Sequence, residues 1–223
     1  MKKENYARKM DEITEALHGT GRVPRLLLHV CCAPCSSHCL ELLRQDFHVT
    51  VFYFNPNITE QAEYEYRLAE EQRLIGIYNA QIASGDYAGM RYGAGAHEIG
   101  FLAAPYDPAA FFRIARGLEQ APEGGARCKR CFTQRLAVTA HAAAIHGFDY
   151  FTTTLTISPQ KDAALLNEIG EEQGTRCGVP FLPSDFKKKE GYKRSVELSA
   201  RFGLYRQDYC GCVFSKRTRD SIR

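Results

Sequence analysis

The stretch Arg25–Cys39, RLLLHVCCAPCSSHC, decides how this chain folds. Its first six residues, Arg25 to Val30, form a short and nearly continuous apolar run. A strand buried on both faces of a parallel sheet has this character, because no solvent face calls for alternating polar residues. Three cysteines follow at once, Cys31, Cys32 and Cys35, with Pro34 where a helix would begin. Cys35, Cys39, Leu42 and Leu43 then repeat at helical spacing. The motif reads as strand, thiol-bearing turn, helix. In open α/β sheets ligands bind at the carboxyl ends of strands. Nucleotide-binding relatives of such folds carry a glycine-rich phosphate loop at this position, and here it is filled with thiols.

Working outward, Tyr6, Met10, Ile13 and Leu17 mark an amphipathic helix that Thr20–Gly21 ends. Val49–Phe54 is a second strand, closed by Asn55–Pro56–Asn57, and Thr59 caps a helix to about Asn79. Ala80–Ala83 is a candidate third strand, and residues 85–106, with five glycines, read as mostly irregular. Asp107–Pro108 opens a helix to about Leu118, and Pro122–Gly125 breaks the chain. A helix then starts at Cys128 with the face Phe132, Leu136, Ala140, Ala143. Asp149–Thr153 is a strand, Ser158–Pro159 caps a helix to about Glu172, and Val179–Leu182 is a short strand. Gly191–Phe202 is helical, with Tyr192, Val196 and Ala200 four apart. This alternation predicts a three-layer α/β fold on a parallel sheet. The organisation expected is a single domain over 1–223, with a helical extension at 1–23 and a basic segment at 213–223.

With 44% hydrophobic and 25% charged residues in 223, the chain is too apolar for disorder. No apolar run approaches the ~18–20 residues of a membrane span. Met1–Glu15 is charged and lacks the apolar core of a signal peptide, so a cytoplasmic location without a membrane partner is expected. Nine cysteines, an odd number and clustered, do not suit a secreted disulfide scaffold. In a reducing compartment, grouped thiols point to metal binding or redox chemistry.

Each group suits that chemistry. Cys31, Cys32 and Cys35 share one strand-to-helix turn, where a helix N-terminus favours thiolates. Cys128-Lys129-Arg130-Cys131 also opens a helix, among Arg127, Lys129, Arg130 and Arg135, with no acidic residue from Arg127 to Phe148. Glycine in Cys210-Gly211-Cys212 lets both thiols approach one metal or form a small reducible disulfide. Cys39 and Cys177 read as packed residues, and His29 and His38 as hydrogen-bonded structural ones. Zinc takes four thiolates in a closed site, and an iron–sulfur cluster takes up to four; spacing does not separate them.

Five motifs, LLLHVCCAPCSSHCLELL, FNPNI, RCKRCF, TTTLTISPQK and DYCGCVFS, together resemble the QueH family of epoxyqueuosine reductases, from about Leu26 to Ser215. The resemblance implies a fold like the adenine-nucleotide alpha-hydrolase (HUP) group, with an iron–sulfur site at the end of the first strand. It implies two-electron reduction of the epoxide of epoxyqueuosine at the wobble position of the tRNA anticodon, the last step of queuosine formation. By position it makes Cys31, Cys32, Cys128 and Cys131 the ligands of a 4Fe–4S cluster. Cys210 and Cys212 match a terminal pair, a redox-active couple or part of a second iron site that Cys35 would join. Ser158 and Lys161 match an SPxK motif, read as substrate-binding, and Asp208, Tyr209 and Lys161 neighbour the site as candidate proton donors. The electron donor is a further partner of unassigned identity. A tRNA substrate calls for basic surface. Residues 187–201 and 213–223 supply it, with Lys188 and Arg194 the candidate phosphate contacts. Two rival readings remain: an iron–sulfur tRNA thiolation enzyme, which lacks its SGGxDS-like loop here, and a zinc-stabilised nucleic-acid-binding module.

Overall fold

The computed structural model describes residues 4–222; Met1–Lys3 of the N-terminal extension and Arg223 of the basic terminal segment lie outside the described residues. The elements run α1 (Tyr6–His18), β1 (Arg25–Val30), α2 (Ala33–Leu43), β2 (His48–Tyr53), α3 (Gln61–Ser84) and β3 (Gly100–Ala103). They continue with α4 (Pro108–Ala115), α5 (Ala126–Ile145), β4 (Tyr150–Thr153), a 3-10 turn (Thr154–Ile157), α6 (Ala163–Cys177), α7 (Gly191–Arg201) and α8 (Val213–Ile222).

The four strands form one parallel sheet in the order β3-β2-β1-β4. β1 is central, and its apolar run divides between two cores by the strand period of two. Leu26, Leu28 and Val30 join Val49, Val51 and Tyr53 beneath α1, α2 and α3, through Met10, Leu40, Leu43, Leu74 and Tyr78. Leu27 joins Phe52 and Phe151 beneath α5 and α6, through Leu136, Ala140, Ala143, Leu166 and Ile169. A sheet covered by helices on both faces is the α/β architecture that the continuous apolar strand predicts.

Several elements depart from the periodicity reading. Ala80–Ala83 is the end of α3, not a strand; Leu74, Ile75 and Tyr78 bury one continuous helical face. The third strand is β3, within the glycine-rich stretch read as irregular. It is a four-residue edge strand whose Gly100 faces Thr50, where a Cβ would meet Thr50 Oγ1 at 2.9 Å. Asp162, not Ser158, caps α6: its side chain accepts from the Ala164 and Leu165 amides. Val179–Leu182 runs beside β4 through one bridge, Phe151 to Phe181, rather than as a regular strand. The terminal basic segment is the helix α8.

The charge run 187–201 is also reorganised. Arg194, read as a phosphate contact, is buried, and its guanidinium grips Glu41 of α2 through Nη2–Oε1 (2.6 Å) and Nε–Oε2 (2.9 Å). It locks α7 onto α2 and is unavailable to a nucleic acid. Burial works to raise the Glu41 pKa, yet hydrogen bonds from Arg194, aided by His38, hold it down to about 2. Arg194→Met should therefore lower stability by ~3–5 kcal/mol in urea unfolding at neutral pH, because it strands a buried carboxylate. The folded pKa of Glu41 is depressed, so the pair's contribution is present above the ordinary carboxyl range and lost as pH falls towards about 2. The gap between wild type and variant should narrow over that window.

Candidate functional site

Strand order reverses between β1 and β4, so the segments leaving their carboxyl ends open onto one crevice. After β1 the chain turns through Cys32, an extended residue (φ −173°, ψ 152°) that precedes α2, with Pro34 in the first turn. The turn overcomes strand alternation and brings the Sγ atoms of Cys31, Cys32 and Cys35 within 4.8 Å of one another. Among the described residues no other group of three or more Cys, His, Asp or Glu side chains is so arranged. Hydrogen bonds from Cys32 and Cys35 hold the Cys31 thiol well below its ordinary pKa, with Arg135 and Lys161 adding to the effect. Burial pushes Cys32 up to about 12, and its bonds to Cys31 and Cys32 raise Cys35. Of the three thiols, Cys31 is the one disposed to ionise.

Cys128 and Cys131 stand in the opening turns of α5. The Gly124 amide donates to Cys128 Sγ at 3.2 Å, and Cys128 packs against the core that contains Cys31 and Cys32. Cys131 packs with Cys212, Phe111 and Cys210. Burial raises both pKa values, that of Cys131 to about 11.

Cys210 and Cys212 lie with their sulfurs 3.4 Å apart and unbonded; all nine cysteines are free, so the disulfide expected of this pair is not formed here. The segment is not loose. Asn57 Nδ2 (3.3 Å) and Arg67 Nη1 (3.4 Å) donate to the Cys210 carbonyl, and the Thr59 amide donates to the Gly211 carbonyl (3.2 Å). Gly211 adopts φ +103°, and a Cβ there would meet Ile58 Cγ1 at 2.8 Å, so only glycine fits. The hydrogen-bonded contact between the two sulfurs brings the Cys210 thiol down to about 6, with Lys161 helping, while Cys212 is raised far above its ordinary value.

These groups surround two adjoining cavities. A cleft of ≈ 670 Å³ is lined by Cys31, Cys35, Cys210, Ser158 and Lys161, and a pocket of ≈ 170 Å³ by Cys128, Cys131, Cys210 and Cys212. Arg135, Lys161 and Cys210 line both. Ser158–Lys161 is a turn beyond β4: Ser158 Oγ accepts from the Gln160 amide, and Lys161 reaches the join of the cavities. Burial alone would lower the Lys161 pKa, yet Cys31, Cys35 and Cys210 raise it. Lys188 is exposed on a neighbouring groove that Lys161 also borders. Two contributors carried no sequence signal as site residues: Arg67, which pins the Cys210 turn, and Gln207, whose Nε2 lies 2.7 Å from Cys32 Sγ; Asn57, which also pins that turn, lay in the FNPNI motif without an assigned role. Arg135 was legible only as local charge, although one helical turn separates it from Cys131.

Residues 26–218 match the family model described as epoxyqueuosine reductase QueH. The chain is 38% identical over 215 residues to an epoxyqueuosine reductase QueH of Staphylococcus epidermidis, covering 96% of this chain and 85% of that protein. It is 40% identical to one of Streptococcus pyogenes, over 96% and 79% of the two chains. Against one of Thermotoga maritima the identity is 34%, over 85% and 89%. The chain belongs to the QueH family of epoxyqueuosine reductases. The family match runs from β1 into α8 and includes every cysteine that faces the two cavities, while α1 precedes it.

The pinned pair gives a test that needs no substrate. Thiolate is the alkylated form, so iodoacetamide labelling of Cys210 in metal-free protein should rise with a midpoint near about 6. Cys212→Ala removes the hydrogen bond that holds this value down and should move the midpoint to higher pH. Mass spectrometry of the Cys210 peptide reads both.

Proposed function

We propose that this chain reduces the epoxide of epoxyqueuosine in tRNA to the alkene of queuosine. In this reading Cys31, Cys32, Cys128 and Cys131 hold a 4Fe–4S cluster, and Cys210 with Cys212 is the redox-active pair. Family membership supplies the reaction class, and the observation that carries the assignment is the convergence of three thiol groups on two cavities sharing Lys161 and Cys210. The chain acts as a single α/β catalytic domain, and the strand order supports the likeness to the HUP group. No described helix is long and apolar enough to cross a membrane, and a tRNA substrate suits a cytoplasmic enzyme.

The donor chemistry fits an iron–sulfur cluster. The set is all thiol, and the nearby His29 is already engaged by Thr153 and Arg135 and is held down to about 3 by burial and Arg135. Arg135 and Lys161 have no carboxylate ion-pair partner among the described residues, so anionic sulfur is their natural counter-charge. When bound, the cluster would pass electrons singly; in the alternative to a redox-active pair, Cys35, Cys210 and Cys212 would hold a second iron that would polarise the epoxide oxygen as a Lewis acid.

The chain's own residues account for the remaining chemistry. Removing the epoxide oxygen as water takes two electrons and two protons. Oxidation of Cys210 and Cys212 to a disulfide releases two electrons and two protons, so epoxide plus dithiol balances alkene, water and disulfide. An external electron donor must then restore the dithiol. Lys161 stands where both cavities meet and can hold a proton near the reacting oxygen. Tyr209 and Asp208 line the cleft further out, Asp208 engaged by Arg219 at 2.7 Å. Ser158 borders the same cleft as a candidate contact to the nucleoside, and exposed Lys188 is a candidate contact to phosphate.

Anaerobic purification with iron, sulfide and zinc analysis tests the reading. The Cys128→Ser/Cys131→Ser variant should lose iron, sulfide and visible absorption together. The Cys210→Ser/Cys212→Ser variant should keep most cluster iron and sulfide yet fail to reduce epoxyqueuosine tRNA. Colourless wild-type protein with stoichiometric zinc would overturn the cluster assignment, and loss of sulfide in the second variant would place Cys210 and Cys212 among the cluster ligands.

A further inference from the structure

Helix α7 brings two apolar side chains to the surface four residues apart, Tyr192 (40% exposed) and Val196 (41%). Tyr192 borders the ≈ 670 Å³ cleft that Cys31 and Cys35 line. Over its ring lies the Arg206 guanidinium, with Cζ 5.9 Å from the ring centroid. Arg206 is held in place, since Nη1 donates to Ser199 Oγ at 3.0 Å and to the Ser195 carbonyl at 3.4 Å. It has no carboxylate partner among the described residues. The buried Arg194–Glu41 pair fixes α7 itself. Ring and guanidinium therefore form a pre-organised surface rather than two mobile side chains.

One exposed tyrosine is ordinary. Here it is paired with a fixed cation at the mouth of the cysteine-lined cleft, whose wall also carries Lys161, a cation without a carboxylate partner among the described residues. That charge suits a phosphate, while an aromatic ring with a guanidinium held against it suits a nucleobase. Single-stranded RNA is read in this way, with unpaired bases stacked on aromatic and guanidinium planes. A nucleotide in an RNA loop can reach the recessed thiols only if its neighbours in the strand meet the rim. We propose that Tyr192 and Arg206 form a stacking platform for an unpaired base adjacent to the reacting nucleotide in the tRNA anticodon loop. This inference rests on the tRNA-modifying reading given above.

The test measures binding of a synthetic anticodon stem–loop RNA to anaerobically prepared, cluster-loaded protein by fluorescence anisotropy. Tyr192→Ala should weaken binding by roughly 5- to 150-fold, the range that one base–aromatic stack contributes. Its salt dependence should be unchanged, because no phosphate contact is lost. Tyr192→Phe keeps the ring and should bind as the wild type does. Arg206→Lys keeps the charge but loses the plane, and should weaken binding without changing the salt slope. A fully paired RNA duplex offers no unpaired base, so wild type and Tyr192→Ala should bind it alike. Iron content and thermal unfolding of each variant show that the fold is intact. Equal stem–loop affinity for wild type and Tyr192→Ala would overturn the platform and leave the functional reading standing. A wild-type protein with no affinity for the stem–loop would overturn both.

Discussion

The site is organised around a buried positive charge. The Arg135 side chain is 3% exposed, and its guanidinium donates to Asn55 Oδ1 at 2.7 Å and His29 Nε2 at 3.2 Å. Both partners are neutral acceptors. An unpaired cation in a protein interior costs several kcal/mol, so the neutralising charge must come from elsewhere. Cys31 and Cys131 both feel Arg135, and Lys161 adds a second cation beside Cys31, Cys35 and Cys210. One guanidinium thereby joins α5 to β1 and to the loop after β2, and through the His29–Thr153 hydrogen bond to β4. The elements that carry the thiols are those tied to the charge that makes thiolates favourable.

Two helix N-termini reinforce this. Neither Cys32 before α2 nor Gly125 before α5 supplies a side-chain cap, so amides in both first turns lack the usual capping acceptor. One of the amides just before α5, that of Gly124, donates to Cys128 Sγ. Open helix starts attract anions through their unpaired N–H groups and dipoles. A parallel α/β fold commonly uses such a position for phosphate. Here the same backbone arrangement faces sulfur, and the fold's existing preference for negative charge is turned to a different ligand chemistry.

What the sequence made legible follows from which forces are local. β1, the helical faces of α1 and α5, and the proline-led start of α2 depend on short-range periodicity, and the structure has them where the pattern puts them. β3 escaped because a four-residue edge strand beside an exposed glycine has no apolar period to display. Arg194 was misread because a run of cations shows charge but not direction. Its partner Glu41 lies 153 residues earlier, and only the packing of α7 on α2 brings them together. The clamps on the Cys210 turn are equally remote, at Asn57 and Arg67. Cysteine spacing named the thiols and put Cys31, Cys32 and Cys35 on one strand-to-helix turn, as the structure has them, but chain order could not say that Cys210 would stand at the join of two cavities.

The clamped turn at Gly211 changes how the terminal pair should be understood. A cysteine pair near a chain end suggests a swinging arm that carries reducing equivalents. The hydrogen bonds to the Cys210 and Gly211 carbonyls, and a Cβ-intolerant glycine, remove that freedom. α8 follows directly, and the Ser215 amide donates to Cys212 Sγ at 3.3 Å. Motion between thiol and disulfide forms is thereby confined to side-chain rotation about sulfurs already 3.4 Å apart. For the redox role proposed above, a pair fixed in this way would keep Cys210 beside Lys161, where both line the join of the two cavities.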